Sequence, residues 1–341
     1  MLFASVLKTV AAPELFAAFI AVVIVLLFLD LIVFHRKAHT VRLREALLLT
    51  AFWISLSLVF NFWVWRRFGN ERGLEFFTGY LLEYSLSVDN LFVFILLFAH
   101  FAVPKESQHR VLFWGILGAI VTRGVFILGG TALVQQFHRV LYLFGGFLLF
   151  TGAKLLFAKN EEEEVKQSPI VRYLGRHLRI TPGFHGASFL VRHEGRLHVT
   201  PLFLVLIAVE STDVLFATDS IPAIFGITTD PFIIFTSNIC AILGLRSLYF
   251  VLSGFMTKFR YLNVGLGLVL AFIGLKMVAL EAIDDIKGHE WFQAHVANKW
   301  TQSLVSLGMI VVLIGGSILA SLRKGAKEEP APAGDTGKSG V

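Results

Sequence analysis

The chain has 341 residues, of which 56% are hydrophobic, and its mean hydropathy is +0.73. That content excludes an ordinary soluble globular protein, and several separate apolar runs of about twenty residues mark a polytopic helical membrane protein. The formal net charge of +6 does not point to nucleic acid, because the basic residues are segregated by loop rather than gathered on one face.

In chain order, nine spans are predicted: Pro13–Phe34, Ala46–Val64, Phe76–His100, Val111–Val134, Val140–Phe157, Thr200–Gly226, Pro231–Met256, Tyr261–Leu280 and Ser303–Leu322. The fold class expected is therefore all-α, a membrane helical bundle. The first span is not a cleavable signal peptide: it is too long, and its basic residues follow the apolar run instead of preceding it. With the amino terminus outside, the cytoplasmic segments hold 19 Lys and Arg and the external ones 7. That asymmetry predicts amino terminus out and carboxyl terminus in, with the Arg66, Arg67 and Arg72 cluster running against the rule.

The organisation expected is two amino-terminal spans over 1–75, a three-helix unit over 76–157 and a cytoplasmic loop over 158–199. A second three-helix unit covers 200–280. An external loop and final helix (281–322) and a disordered tail (323–341) follow. The loop opens on the solvated run Glu161–Glu164, and its later part, FLVRHEGRLHVT, reads as two short strands around Glu194–Gly195. His193, Glu194 and His198 approximate the HExxH zinc signature, but the histidines are five apart, so one helical face cannot present both. Cys240 is the only cysteine and lies in an apolar run, which leaves no disulfide framework and no thiolate metal site.

The sixth span, AVESTDVLFATDSIPA over Ala208–Ala223, carries Glu210, Asp213 and Asp219 inside a long apolar run. Each carboxylate at the centre of such a run costs roughly 2.5–3.5 kcal/mol on insertion scales, so it needs a partner, water or a ligand. The structural alternative is protonated acids hydrogen-bonded to neighbouring helices. Spans three to five and six to eight resemble each other: SVDNLFVF (Ser87–Phe94) aligns with STDVLFAT (Ser211–Thr218), placing Asp89 on Asp213. Arg123 follows Asp89 by 34 residues, Arg246 follows Asp213 by 33, and FTGAK (Phe150–Lys154) matches FIGLK (Phe272–Lys276). Three spans per copy reverse the sense of the second, which predicts an inverted-topology repeat with a substrate site near the midplane between the copies.

The first copy offers Glu83, Asp89 and Asn90; the second offers Glu210, Asp213 and Asp219. Six residues on a helix turn through about 240°, so Asp213 and Asp219 diverge on a continuous one. Local unwinding near Asp219–Pro222 is therefore expected to bring Asp219 into the cluster. Five acids against Arg123 and Arg246 leave a formal deficit that a divalent cation and one proton neutralise. The arginines serve as counter-ions or as gating charges, and Asp30 as part of an exit path or as an interfacial cap. An all-oxygen ligand set suits Mg²⁺, Ca²⁺ or Mn²⁺ over Zn²⁺ or Cu⁺.

LDLIVFHRKAH, EYSLSVDN, VESTDVLFATDSIPAIFGIT, SNICAILGLRSLYF and FIGLKM resemble the TerC family of bacterial membrane proteins, up to about Leu322. The resemblance implies export of manganese from the cytoplasm across the cell inner membrane. It places Glu83, Asp89, Asn90, Glu210, Asp213 and Asp219 on the family's acidic motif positions. Mn²⁺ is then a transported ion, not a permanent cofactor, and the surplus carboxylates suggest protons as counter-ion. No nucleotide-binding GxxxxGK[ST] motif offers ATP coupling and no catalytic motif marks an enzyme. The rival class is a membrane scaffold in metal or tellurite stress response, or in metal loading of exported proteins.

Overall fold

A computed structural model describes residues 9–35, 43–137, 139–157, 178–193, 196–253, 261–287 and 299–328. The Glu161–Glu164 run, Glu194–Gly195 and the chain from 329 onward lie outside the described residues; the tail expected to be disordered over 323–341 is helical as far as Glu328. The helices are α1 (Pro13–His35), α2 (Leu43–Phe68), α3 (Asn70–His100), α4 (Lys105–Gln136) and α5 (Val140–Phe157). After the strands β1 (Leu190–His193) and β2 (Arg196–Val199) come α6 (Pro201–Phe225), α7 (Pro231–Leu243), α8 (Leu245–Leu252), α9 (Leu262–Lys287) and α10 (Lys299–Glu328). Among the described residues, seven helices are long and apolar enough to cross a membrane, eight if α7 and α8 form one span. The protein is an all-α polytopic membrane bundle.

Local chemistry sets the helix starts. Pro13, Pro201 and Pro231 occupy first-turn positions, where proline's fixed φ fits and its missing N–H is not needed. Asp230 caps α7, its carboxylate accepting from the backbone N–H groups of Phe232 (3.0 Å) and Ile233 (3.2 Å). The same buried carboxylate accepts from Val10 N–H at 2.7 Å and from Thr9 Oγ1 at 3.2 Å, so it also holds the segment leading into α1. Asp230→Ala should cost about 1–2 kcal/mol and expose the residue 9–12 segment, measurable as a lower melting temperature and as faster amide exchange at Val10. The turn from α2 to α3 passes through Gly69 at φ +92°, which a side chain rarely tolerates.

Within the helices many small polar residues turn inward, while large apolar ones both fill the core and cover the outside. Ile24, Phe28, Leu48, Phe62, Val121, Val125, Leu143 and Phe150 are exposed, whereas Thr50, Ser57, Thr78, Thr131, Thr236 and Ser237 are buried. Hydrocarbon offers no water to a hydroxyl, so most of these satisfy themselves locally: Ser57 donates to Trp53 O, Thr78 to Leu74 O and Thr236 to Phe232 O, while Thr131 Oγ1 has no partner among the described residues. Helices α5 and α9 approach closely through glycines. A Cβ on Gly152 would lie 2.7 Å from Gly267 O, and one on Gly274 would lie 2.6 Å from Gly145 O. The two contacts are mutually reciprocal. The offset that aligns FTGAK with FIGLK also carries Gly145 onto Gly267 and Gly152 onto Gly274.

Two expectations need correction. The seventh span is not one straight helix: α7 and α8 meet at Gly244 with a bend of 42°. Glycine is a weak point in a helix interior, and a Cβ there would already be 3.5 Å from Trp53 Cβ. Nor does the sixth span unwind near Asp219–Pro222. Helix α6 is continuous to Phe225, because Pro222 sits in its last turn and removes a hydrogen bond only close to the terminus. The predicted hairpin is present, with Leu190 opposite Val199 and His193 opposite Arg196. It is held to the start of α4 by Ser107 Oγ donating to Gly186 O (3.1 Å) and by the Arg110 guanidinium 5.2 Å from the Phe189 ring.

Candidate functional site

Two apolar clusters fill the bundle, and a charged centre lies where they meet. On α4, Ile116 belongs to one cluster and Ile127 to the other; on α6, Val209 and Ala217 divide in the same way. Arg123 and Asp213 fall between these pairs. Arg123 is fully buried, and Glu83 and Asp213 are 1% and 5% exposed. The guanidinium grips Asp213 from its side, with Nε to Oδ2 at 3.3 Å and Nη2 to Oδ1 at 2.9 Å, while Nη1 donates to Glu83 Oε1. One cation therefore joins a carboxylate on α3 to a carboxylate on α6 through a planar fork that a lysine could not reproduce. Ser87 Oγ approaches Glu83 Oε1 at 3.4 Å, and Glu83 Oε2 is buried without a hydrogen-bond partner among the described residues.

The formal charge of this triad is −1. In a low-dielectric interior an uncompensated charge is expensive, so the centre favours binding a proton or a second cation. Further anionic capacity stands beside it. Glu210, three residues before Asp213 on α6 and electrostatically coupled to it, lies half-buried against Gly118 of α4, where its carboxylate fills the space a Cβ would take.

The other predicted residues are distributed around this centre. Asn90 is buried on α3 and Arg246 is buried near the start of α8. Asp219 faces α5, where it accepts from Thr151 Oγ1 at 3.3 Å; the continuous helix gives it that separate address. The side chains of Asp89 and Asp30 lie outside the described residues. Among the described residues, no three His, Cys, Asp or Glu side chains are grouped to hold a metal ion. Glu83 and Asp213 meet around a guanidinium.

Some polar residues escaped sequence reasoning. Asn238 on α7 is completely buried, and neither its Oδ1 nor its Nδ2 has a partner among the described residues. A lone carboxamide inside the run IIFTSNICAIL was the available signal. A second polar group lies near the ends where α3 and α7 begin. There Glu75 Oε2 accepts from Arg72 Nη1 (2.7 Å) and Thr228 Oγ1 (2.8 Å), and Lys276 Nζ donates to Gly226 O (3.0 Å) and Ser306 Oγ (2.9 Å). The FIGLK match marked Lys276 as part of a repeat but not as a tie between α6, α9 and α10.

Fold and site together define a polytopic helical membrane protein with a buried, net-anionic charge centre between its helices. The pattern of the integral membrane protein TerC family matches residues 68–329, and the chain belongs to that family. It is 50% identical over 316 residues to "Uncharacterized membrane protein STKORF319" of Myxococcus xanthus, covering 93% of this chain and 94% of that one. To the Escherichia coli K12 protein named "Putative membrane-bound redox modulator Alx" it is 47% identical over 284 residues, 81% of this chain and 88% of that one. A Rickettsia bellii membrane protein is 37% identical over 301 residues, 88% of this chain and 97% of its own. No solved structure matches the chain.

Proposed function

We propose that this protein is a secondary transporter that exports a hard divalent cation, Mn²⁺ by family resemblance, from the cytoplasm. The carrying observation is the Glu83–Arg123–Asp213 triad, in which a buried positive group is held between carboxylates from the two three-helix units. A guanidinium in that position is an internal stand-in for cargo: it neutralises the carboxylates that a metal would otherwise bridge. Loading then requires Arg123 to release Asp213 or Glu83, and the metal takes its place, with Glu210 as further anionic capacity. Arg123 therefore competes with the metal for the same carboxylates. Protons driving the return step are the counter-ion, since the emptied carboxylates must be neutralised to cross the low-dielectric midplane.

This reading places the amino terminus outside the bacterial inner membrane and the carboxyl terminus in the cytoplasm, following the Lys and Arg asymmetry. The redox role in the printed name of the Alx relatives would here lack an intrachain dithiol, because Cys240 is the only cysteine of the chain.

The decisive experiment measures cellular manganese and growth in excess Mn²⁺ in cells lacking their own exporter. The wild-type chain should lower manganese content and restore growth. Asp213→Asn, which preserves shape but removes the charge, should leave content at the level of cells without the protein. A scaffold predicts that Asp213→Asn retains full activity, and that result would end the transport reading.

A further inference from the structure

We propose that Asn238 is a ligand of the transported cation, its carboxamide oxygen binding beside Glu83 Oε2; this rests on the transport reading above and goes further by naming a neutral ligand. The placement follows from contacts along three helices. Helices α7 and α8 together run parallel to α3: a Cβ on Gly79 would lie 3.1 Å from Ser237 Oγ of α7, and further along Phe98 packs on Tyr249 of α8 with ring centroids 5.5 Å apart. Between those two contacts, Glu83 comes level with the stretch just after Ser237. The same pair runs antiparallel to α4: Phe235 of α7, which also packs on Phe16 and Phe19 of α1, meets Gly124, with a Cβ there 3.5 Å from its ring, and Tyr249 Oη of α8 donates to Gln108 Oε1 at 3.0 Å. Residues three apart share a helix face, so Asn238 lies on the side of α7 that Phe235 turns toward Gly124. Gly124 is the neighbour of Arg123. Asn238 thus sits at the junction of α3, α4 and α7, at the depth of the charge centre.

The energetics call for a ligand. A carboxamide taken into an apolar interior with neither end paired costs about 1–3 kcal/mol, and Asn238 is 0% exposed with both ends unpaired among the described residues. An apolar residue of similar size would remove that cost, so a packing role does not account for it. Glu83 Oε2 is the matching orphan on α3. One anionic and one neutral oxygen, with Asp213 completing the set once Arg123 withdraws, make a hard-cation donor set. The neutral member limits the net charge that the emptied site must carry across the midplane.

The test uses the full-length protein purified in detergent and titrated with MnCl₂, read as the shift in melting temperature. Wild type should show a saturable Mn²⁺-dependent rise. Asn238→Leu should melt higher than wild type without metal, because a buried orphan amide is gone, yet require roughly tenfold or more Mn²⁺ for half its shift. Asn238→Asp keeps an oxygen in place and should retain the wild-type Mn²⁺ requirement or tighten it. If both variants fold and both keep the wild-type requirement, Asn238 is not a ligand, while the transport reading stands. If the wild type itself shows neither a Mn²⁺-dependent shift nor export, both readings fall together. The metal-free melting curve of each variant separates misfolding from lost binding.

Discussion

Arg123→Leu should be among the most damaging single substitutions in this chain, costing about 3–5 kcal/mol, because it leaves Glu83 and Asp213 buried without their shared counter-ion. The expected readout is a large drop in melting temperature and a loss of monodisperse protein in size exclusion. Two further results give the prediction its content. Millimolar Mn²⁺ should return part of the lost stability to Arg123→Leu, since an external cation occupies the place the guanidinium held. Adding Asp213→Asn to Arg123→Leu should be less harmful than the two costs summed, because the second change removes a charge that the first had orphaned. Arg123→Lys should fall in between: it retains the charge but not the two-pronged grip on Asp213. An Arg123→Leu variant that melts like wild type and ignores Mn²⁺ would contradict the stand-in role.

The second large effect concerns packing. Gly152→Val and Gly274→Val should each prevent α5 and α9 from closing, at about 3 kcal/mol or more. The first atoms a new Cβ meets are backbone: Gly267 O and Ala271 N around Gly152, and Gly145 O and Leu149 N around Gly274. Backbone cannot rotate away as a side chain can. Membrane helices also lack a strong hydrophobic drive to associate, so close backbone approach is a main source of their affinity. Gly146 is the internal control, since a Cβ there meets nothing within 4 Å. Gly146→Ala should be neutral or stabilising by up to about 1 kcal/mol. Folded yield and melting temperature of the three variants, prepared side by side, decide the matter; equal behaviour of Gly146→Ala and Gly152→Val would refute it.

Composition and apolar run length revealed the helical bundle, because hydrocarbon demands long uninterrupted helices. The pairing of β1 with β2 was legible from the apolar-polar alternation on either side of Glu194–Gly195. The meeting of Glu83, Arg123 and Asp213 was legible only in outline: the repeat suggested that carboxylates of the two units share the bundle interior, but it did not say that one arginine would lie between them. Three features were hidden for identifiable reasons. A glycine in an apolar run is common, so nothing at Gly244 marked a bend. A proline signals a break only if enough helix follows it, and Pro222 has one turn left. Asn238 is a single polar letter in an apolar word, and nothing near it in the chain shows that the fold buries it completely.

The elbow at Gly244 costs the span little of its reach. Helix α7 has 13 residues and α8 has 8, which at 1.5 Å per residue give contours of about 20 Å and about 12 Å. Laid straight, the two segments match the roughly 30 Å hydrocarbon thickness, and a bend of 42° shortens that reach by only about 2 Å. Both segments are buried among their neighbours, so the elbow meets protein rather than acyl chains. The angle of the joint next to Arg246 is therefore set by how the surrounding helices pack on it, and a substitution in one of those helices, not a change of lipid, is the way to alter it.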